Sequence, residues 1–514
     1  MGYIRFNTYF CFLYQTDVEL RPSLWLKQNY LHRILLMKRF TLFALLLLTG
    51  IAQHSFAKDG YHIKLKFTDM HDSMVYLAHY YGKPLPTIYK ADSAKMNSKG
   101  EAIFDSKEKT LGGIYIMLLS DKKTYFEFLL DNGDNMTITA TASKLPEGIK
   151  FQGSPENEHF QEYVKFLKDF GAKQQKLIDE YKEAKTGADS TALREQISKG
   201  SKELIKFRHD QATKYPGTLL AAIFNALEVP QVPEGPHYLP DGKVDSNFAY
   251  NYYKEHYWDN FNFKDDRLIQ TPIYDGKLDE YFNKIVLPWP DSVEKEADVL
   301  LAKSRGTKDV FKYTLWWLTH NVENSKIMGM DAVFVYLVEN YYMKGDATWL
   351  DNDALSKYFD RASKIAPNVI GNIAPDVKLP DADGKEQSML ALPAKYTLVI
   401  FWSPDCGHCQ KEIPEIDSLY RATLKSKGVK IYAVNVDNED TKWQEFIKKH
   451  KLEDWVNVWD KDHKSDFRSK FDVYSTPTIY LLDEKKIIRG KKLDHSNIMS
   501  VIEITEKKEK TTKK

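Results

Sequence analysis

The sequence predicts a multidomain protein with a β-rich N-terminal domain, an α-helical middle domain and a C-terminal α/β domain. Three observations carry this. Between about residues 60 and 155, apolar residues alternate with polar ones, the period of a half-buried strand. From about residue 156 they recur at three- and four-residue spacing, the period of a helix face. After about residue 371, buried-strand runs and helical patterns take turns, which predicts a mostly parallel sheet with helices on both faces. A chain of 514 residues is long enough for about three domains at roughly 150 residues each.

Composition narrows the class. A net charge of +1 argues against nucleic-acid binding and against an acidic disordered chain. Aromatic residues make up 13%, ample material for several cores. The cysteines number 3, far too few for a small disulfide scaffold.

The first stretch, residues 1–36, matches no recognisable segment and is expected to be a start-site overcall, with translation beginning at Met37. Residues 37–57 read as a signal peptide. Lys38 and Arg39 supply the positive region, Phe40 to Leu48 the apolar one, and Ser55-Phe56-Ala57 the small residues of a cleavage site. The apolar run is shorter than the ~20 residues a membrane span needs. Export with cleavage near Ala57 is therefore expected, to the periplasm or cell envelope. Cleavage there removes Cys11 and leaves Cys406 and Cys409 as the remaining cysteines.

Residues 58–155 form the expected β-rich domain. Ile63, Leu65 and Phe67 alternate with polar residues, and "MVYLAHY", "IYIMLL", "YFEFLL" and "MTITAT" are further candidate strands. "NSKG" and "DNGDN" supply turn chemistry between them. A small antiparallel sandwich or barrel is expected, with Asp92 and Ser93 in a turn or cap. Residues 156–370 form the helical domain, interrupted by the proline-dense "EVPQVPEGPHYLPDG". The aromatic-rich "NFAYNYYKEHYWDNFNF" is expected to pack helices together rather than line a groove.

In residues 371–506, "YTLVIFW" has the length and composition of a buried strand. Ile413, Ile416, Leu419, Tyr420 and Leu424 mark a helix face after it. "VKIYAVNV" is a second buried strand and "DTKWQEFIKKHK" a second helix; "TIYLLD" and "KIIRGKKL" read as a hairpin. Asn497 to Thr505 reads as a last helix. Residues 507–514 are expected to be a charged, disordered tail.

Between the first strand and helix lies "FWSPDCGHCQKEIP". A c-type haem site needs histidine directly after the second cysteine, and Gln410 stands there. A closed zinc site needs four ligands, and no second Cys/His cluster accompanies this pair. Redox use fits better. The strand-to-helix position puts Cys406 at a helix N-terminus, where unpaired N–H groups and the dipole favour a thiolate. Cys409, one turn on, can resolve a mixed disulfide by attacking Cys406.

"NIAPDVKLPDADGK", "VIFWSPDCGHCQKEIP" and "YSTPTIYLLD" follow one another in order over roughly the last quarter of the chain. Together they resemble the thioredoxin-fold thiol-disulfide oxidoreductases, most closely the exported TlpA/ResA-like kind. The resemblance implies that Pro477, preceded by Thr476, is a cis-proline in a substrate groove facing the cysteines. Ile400 replaces the buried aspartate of ordinary thioredoxin, two residues before the strand-end Trp402. Glu412 matches the acidic residue of the TlpA/ResA-like proteins and is expected to take the proton from Cys409. His408 replaces thioredoxin's proline, and Cys-Gly-His-Cys, with Gly407, is the motif of disulfide isomerases. An imidazole paired with the Cys406 thiolate would set a potential on the order of -180 to -240 mV. No cofactor or metal is implied beyond a redox-active Cys406–Cys409 disulfide. The implied partners are cysteine-containing envelope proteins and a membrane electron donor or acceptor.

The earlier regions, with "FEFLLDNGDNMTIT" and "FQGSPENEHFQEY", resemble the small β domain and helical spacer that precede thioredoxin domains in exported Bacteroidetes proteins. Two other functions compete. One is a binding or adaptor protein whose redox domain is secondary. The other is a thiol peroxidase, disfavoured because Ser403 and Val399 stand where that site wants threonine and proline.

Overall fold

The computed structural model of the protein describes residues 59–184, 187–437, 441–461 and 464–512. Cys11, the expected start at Met37 and the expected signal peptide lie outside the described residues.

Eight strands come first: β1 (Tyr61–Phe67), β2 (Met74–His79), β3 (Tyr89–Lys95), β4 (Glu101–Ser106), β5 (Gly113–Leu118), β6 (Tyr125–Leu130), β7 (Asp134–Ala140) and β8 (Lys150–Gln152). They form two four-stranded sheets, ordered β4-β1-β7-β8 and β3-β2-β5-β6. Ile63, Leu65, Phe104 and Ile138 of the first sheet meet Val75, Leu77, Met117 and Phe128 of the second in one core. In β1, buried residues alternate with exposed His62, Lys64 and Lys66, because only one face of that sheet is covered. β5 is buried through five consecutive residues, because the helical region covers its outer face: Ile114 and Ile116 pack with Phe160, Phe224 and Tyr257.

Two expectations for the β-rich region need correction. The sandwich is not wholly antiparallel, since β1 and β7 pair in parallel register. Asp92 and Ser93 occupy neither a turn nor a cap; they lie in β3, where the register with β2 shifts between Leu77 and Ala78.

Nine helices follow among the described residues: α1 (Pro155–Glu183), α2 (Gly187–Lys214), α3 (Leu219–Leu227), α4 (Phe248–His256), α5 (Ile273–Glu280), α6 (Pro290–Ser304), α7 (Lys308–Glu323), α8 (Met330–Leu337) and α9 (Asn352–Ile365). The aromatic-rich segment packs as expected only in its second half, where Tyr257, Trp258, Phe261 and Phe263 are buried; α4 itself buries no residue and Tyr250 is exposed. Asn157, fully buried at the start of α1, ties the helices to the sandwich. Its side chain accepts from the Leu129 N–H and donates to the Leu129 carbonyl, both at 2.7 Å, satisfying β6 much as another strand would.

The last region contains β9 (Lys378–Pro380), β10 (Glu386–Ser388), β11 (Tyr396–Trp402), α10 (Gly407–Leu419), β12 (Val429–Asn435), α11 (Thr441–His450), β13 (Val456–Trp459), α12 (Phe467–Lys470), β14 (Thr478–Asp483), β15 (Ile488–Lys491) and α13 (Ile498–Thr512). The central sheet runs β13-β12-β11-β14-β15. β11, β12 and β13 are parallel; β14 and β15 are antiparallel additions. Every residue of β11 is buried, which explains its unbroken apolar run.

Helices lie on both faces as expected, but unequally: the three long ones share one face and only the short α12 lies on the other. Ile413 and Ile416 of α10, Trp443 of α11 and Ile498 and Ile502 of α13 share one core with Leu398, Ile400 and Trp402. Steps from β11 to β12 and from β12 to β13 move in the same direction, so right-handed crossovers put both intervening helices on one face. The other face is covered by Val377 and Leu379 from the β9 segment, Met389 just past β10, and Phe467 and Phe471 from around α12. The charged tail is likewise not irregular throughout: α13 runs on through Thr512.

The helical region is fastened to this sheet. Lys491 of β15, its side chain 2% exposed, pairs with Asp331 of α8. Lys491 also donates to the carbonyl of Asn368 at 3.1 Å and to its Oδ1 at 2.5 Å. The free edge of β15 is met by the connecting chain. Gly371 N–H donates to Ile488 O, and Ile488 N–H to Asn372 O, both at 2.9 Å.

Candidate redox site

The end of β11 and the start of α10 place the dithiol. Cys406 is the N-cap of α10, with extended backbone, and its sulfur accepts the N–H of Cys409 at 3.3 Å. A sulfur thus fills the place that a hydroxyl or carboxylate oxygen usually takes at a helix start. Both thiols are free, Cys406 partly exposed and Cys409 buried.

Thr476 faces them from the loop before β14. Its carbonyl accepts the Cys406 S–H at 3.2 Å, and the Thr476–Pro477 bond is cis. The structure thus brings Cys406, Cys409, Thr476 and Pro477 into one place.

The two thiols are pushed apart in acidity. Burial raises Cys406, but hydrogen bonds onto its sulfur from the Cys409 thiol, the Thr476 side chain and the Cys409 and His408 N–H groups outweigh it, and the net shift is downward. Cys409 is pushed up to about 12, by burial first and by its hydrogen bond to Cys406 second. One cysteine is poised as nucleophile, and the other holds its proton until something takes it. The consequence is measurable. Iodoacetamide is expected to label Cys406 alone in the reduced protein between about pH 7 and 9, read by peptide mass. Comparable labelling of Cys409 in this window would contradict the asymmetry.

The supporting residues are placed unevenly. Trp402 is fully buried against Phe446, with ring centroids 5.0 Å apart. Gly407 is exposed, and a Cβ there would meet nothing within 4 Å, so the glycine leaves the surface before the sulfurs open. His408 meets Cys406 through its backbone N–H; its imidazole is exposed and makes no hydrogen bond to the thiol among the described residues. The expected imidazole–thiolate pair is therefore not formed. Glu412 is one turn past Cys409 on α10, yet its carboxylate makes no hydrogen bond to Cys409 among the described residues. It accepts from the His495 N–H at 2.6 Å and meets the His495 ring nitrogen at 3.0 Å. That carboxylate raises the His495 pKa, chiefly by hydrogen bonding.

Sequence reading missed His495, which lies 83 residues from Glu412 and carries no local signal. It also missed the Ser403 hydroxyl donating to Asp437, beside the active turn, and the pair between Lys442 and Asp405 at 2.8 Å. No group of three or more metal-ligating side chains occurs among the described residues.

A parallel-stranded core, a dithiol capping the helix after its central strand and a cis-proline loop opposite define a thioredoxin-like thiol-disulfide oxidoreductase. Residues 370–491 match the AhpC/TSA family, while residues 61–160 and 188–368 match two domains of unknown function, DUF4369 and DUF5106. The thiol-disulfide oxidoreductase ResA of Bacillus cereus is 30% identical over 127 residues, spanning 25% of this chain and 69% of its own. The chain belongs to this family of ResA-like thiol-disulfide oxidoreductases, through its C-terminal region. Among solved structures, a domain of a possible thiol-disulfide isomerase from Cytophaga hutchinsonii is 37% identical, with TM-score 0.27, over 28% of this chain and 99% of that one. A thioredoxin-like protein from Bacteroides caccae is 21% identical, with TM-score 0.42, over 54% of this chain and 98% of that one.

Proposed function

We propose that the protein exchanges disulfides with cysteine-containing proteins of the cell envelope, after export by a cleaved signal peptide. The observation that carries this reading is the placing of Cys406 at the N-terminus of α10, its sulfur accepting the Cys409 N–H and facing the Thr476 carbonyl, with the buried Cys409 one turn on. In the reducing direction the Cys406 thiolate attacks one sulfur of a partner's disulfide. That S–S bond breaks, one partner thiolate leaves, and a mixed disulfide forms. Cys409 then gives its proton to a base and attacks the Cys406 sulfur, expelling the second partner thiolate. Two electrons pass to the partner and the Cys406–Cys409 disulfide remains. Oxidation of a partner runs the same steps backwards.

Glu412 is the base proposed for Cys409, supported by its place one turn on in the same helix. A membrane electron donor or acceptor is proposed to reset the dithiol. No helix among the described residues is long and apolar enough to cross a membrane. Cys409→Ser tests the scheme in cells: mixed disulfides on Cys406 are expected to accumulate, reducible by dithiothreitol and identifiable by mass. Absence of such adducts, with the protein folded and in the envelope, would sink the reading.

A further inference from the structure

The loop that carries Thr476 and Pro477 is held from outside the thioredoxin-like region. Arg361, on α9 of the helical region, donates from Nη1 and Nη2 to the two carboxylate oxygens of Asp472, the latter at 3.1 Å. Asp472 has only 5% of its side chain exposed and adopts a left-handed backbone, φ 52°. A planar guanidinium that grips both oxygens fixes orientation as well as charge. The same guanidinium lies over the ring of Tyr474, 5.2 Å from its centroid. Tyr474 is nevertheless 67% exposed. It stands two residues before Thr476, whose carbonyl touches the Cys406 sulfur at 3.2 Å. So a rigid aromatic face is braced from below by a cation, presented to solvent and anchored next to the loop that faces the nucleophile.

We propose that Tyr474 is a specificity-determining residue for polypeptide disulfides, and that Arg361 is the positioning residue through which the helical region holds it in place. Tyrosine supplies large contact area with few rotors to immobilise, and the Arg361 guanidinium, itself fixed by Asp472, restricts the ring further. A substrate able to use the ring carries an apolar side chain beside its reactive cysteine, which a polypeptide disulfide supplies and a small-molecule disulfide without flanking residues does not. The helical region thereby shapes the substrate surface as well as supporting it. This rests on the exchange activity proposed above.

The test compares two substrates with the full chain. Reduced protein is assayed on insulin and on 5,5′-dithiobis(2-nitrobenzoate), and the ratio of the two kcat/KM values is read. Tyr474→Ala and Arg361→Ala are each expected to lower that ratio about three- to tenfold, the scale of a cation–π-braced aromatic contact. The change should appear in KM for insulin rather than in kcat, and Tyr474→Phe should restore the ratio. If Arg361→Ala fails to fold, Arg361→Lys, which keeps the charge but loses the fork, is read in its place. An unchanged ratio in Tyr474→Ala, or an equal fall on both substrates, overturns the proposal. Failure of the unsubstituted protein on both substrates would instead remove the exchange reading beneath it.

Discussion

Cys406→Ser is expected to abolish thiol–disulfide exchange, by at least about a thousandfold in the rate of disulfide reduction. The loss is chemical rather than steric. A serine hydroxyl can still cap α10 by accepting the Cys409 N–H, so the local fold should survive. What disappears is the thiolate that the cap hydrogen bonds favour. Cys409 cannot take over. It is buried, and its thiol is pushed up to about 12, so little thiolate exists at neutral pH. The check is turnover on a chromogenic disulfide, with circular dichroism confirming the fold. More than about a tenth of the original rate would place the chemistry on another residue and remove Cys406 from the nucleophile's role.

The second large effect concerns stability. Lys491→Ala is expected to cost about 2–4 kcal/mol, measured by urea denaturation. Truncation leaves Asp331 and the Asn368 acceptors without their shared donor between the helical region and β15. The figure is below that for a fully enclosed pair because Asp331 keeps 18% of its side chain exposed. A pH signature separates this from simple loss of packing. Burial lowers the Lys491 pKa, with Asp331 acting in opposition. Between that lowered value and the unfolded value near 10.4, the unfolded chain binds more protons than the native one, so the Lys491 contribution rises with pH. The difference between the original protein and Lys491→Met should therefore widen as pH climbs through that window. A difference that narrows would show that another group dominates.

How far these features could be read beforehand depended on whether the signal was local. "YFEFLL" and "YTLVIFW" coincide with β6 and β11 because burial writes itself into consecutive residues. β3, with "YKADSAK", escaped because it is an edge strand of exposed and half-buried residues with no apolar alternation. The parallel pairing of β1 with β7 joins segments about 70 residues apart, which no turn signal can announce. The site divides the same way. Cys406, Cys409, Thr476 and Pro477 stand in two short motifs. The partner of Glu412 lies 83 residues away and that of Arg361 lies 111 away, and each looks locally like an ordinary solvated charge. Placing Glu412 by its motif gave its helix and turn, but not the His495 contact that occupies its carboxylate.

The pairing of Gly371 and Asn372 with Ile488 has a consequence for behaviour in concentrated solution. β15 is the last strand of its sheet, and an unprotected last strand is a template on which a second molecule can add its own. Here the linker leaving the helical region occupies Ile488 on that edge, and Ile373 bridges to Ile487 beside it. The linker thus guards against chain-to-chain aggregation. A proteolytic cut between the helices and residue 371 would loosen this guard and leave a fragment with intact thiols but a tendency to associate through its sheet.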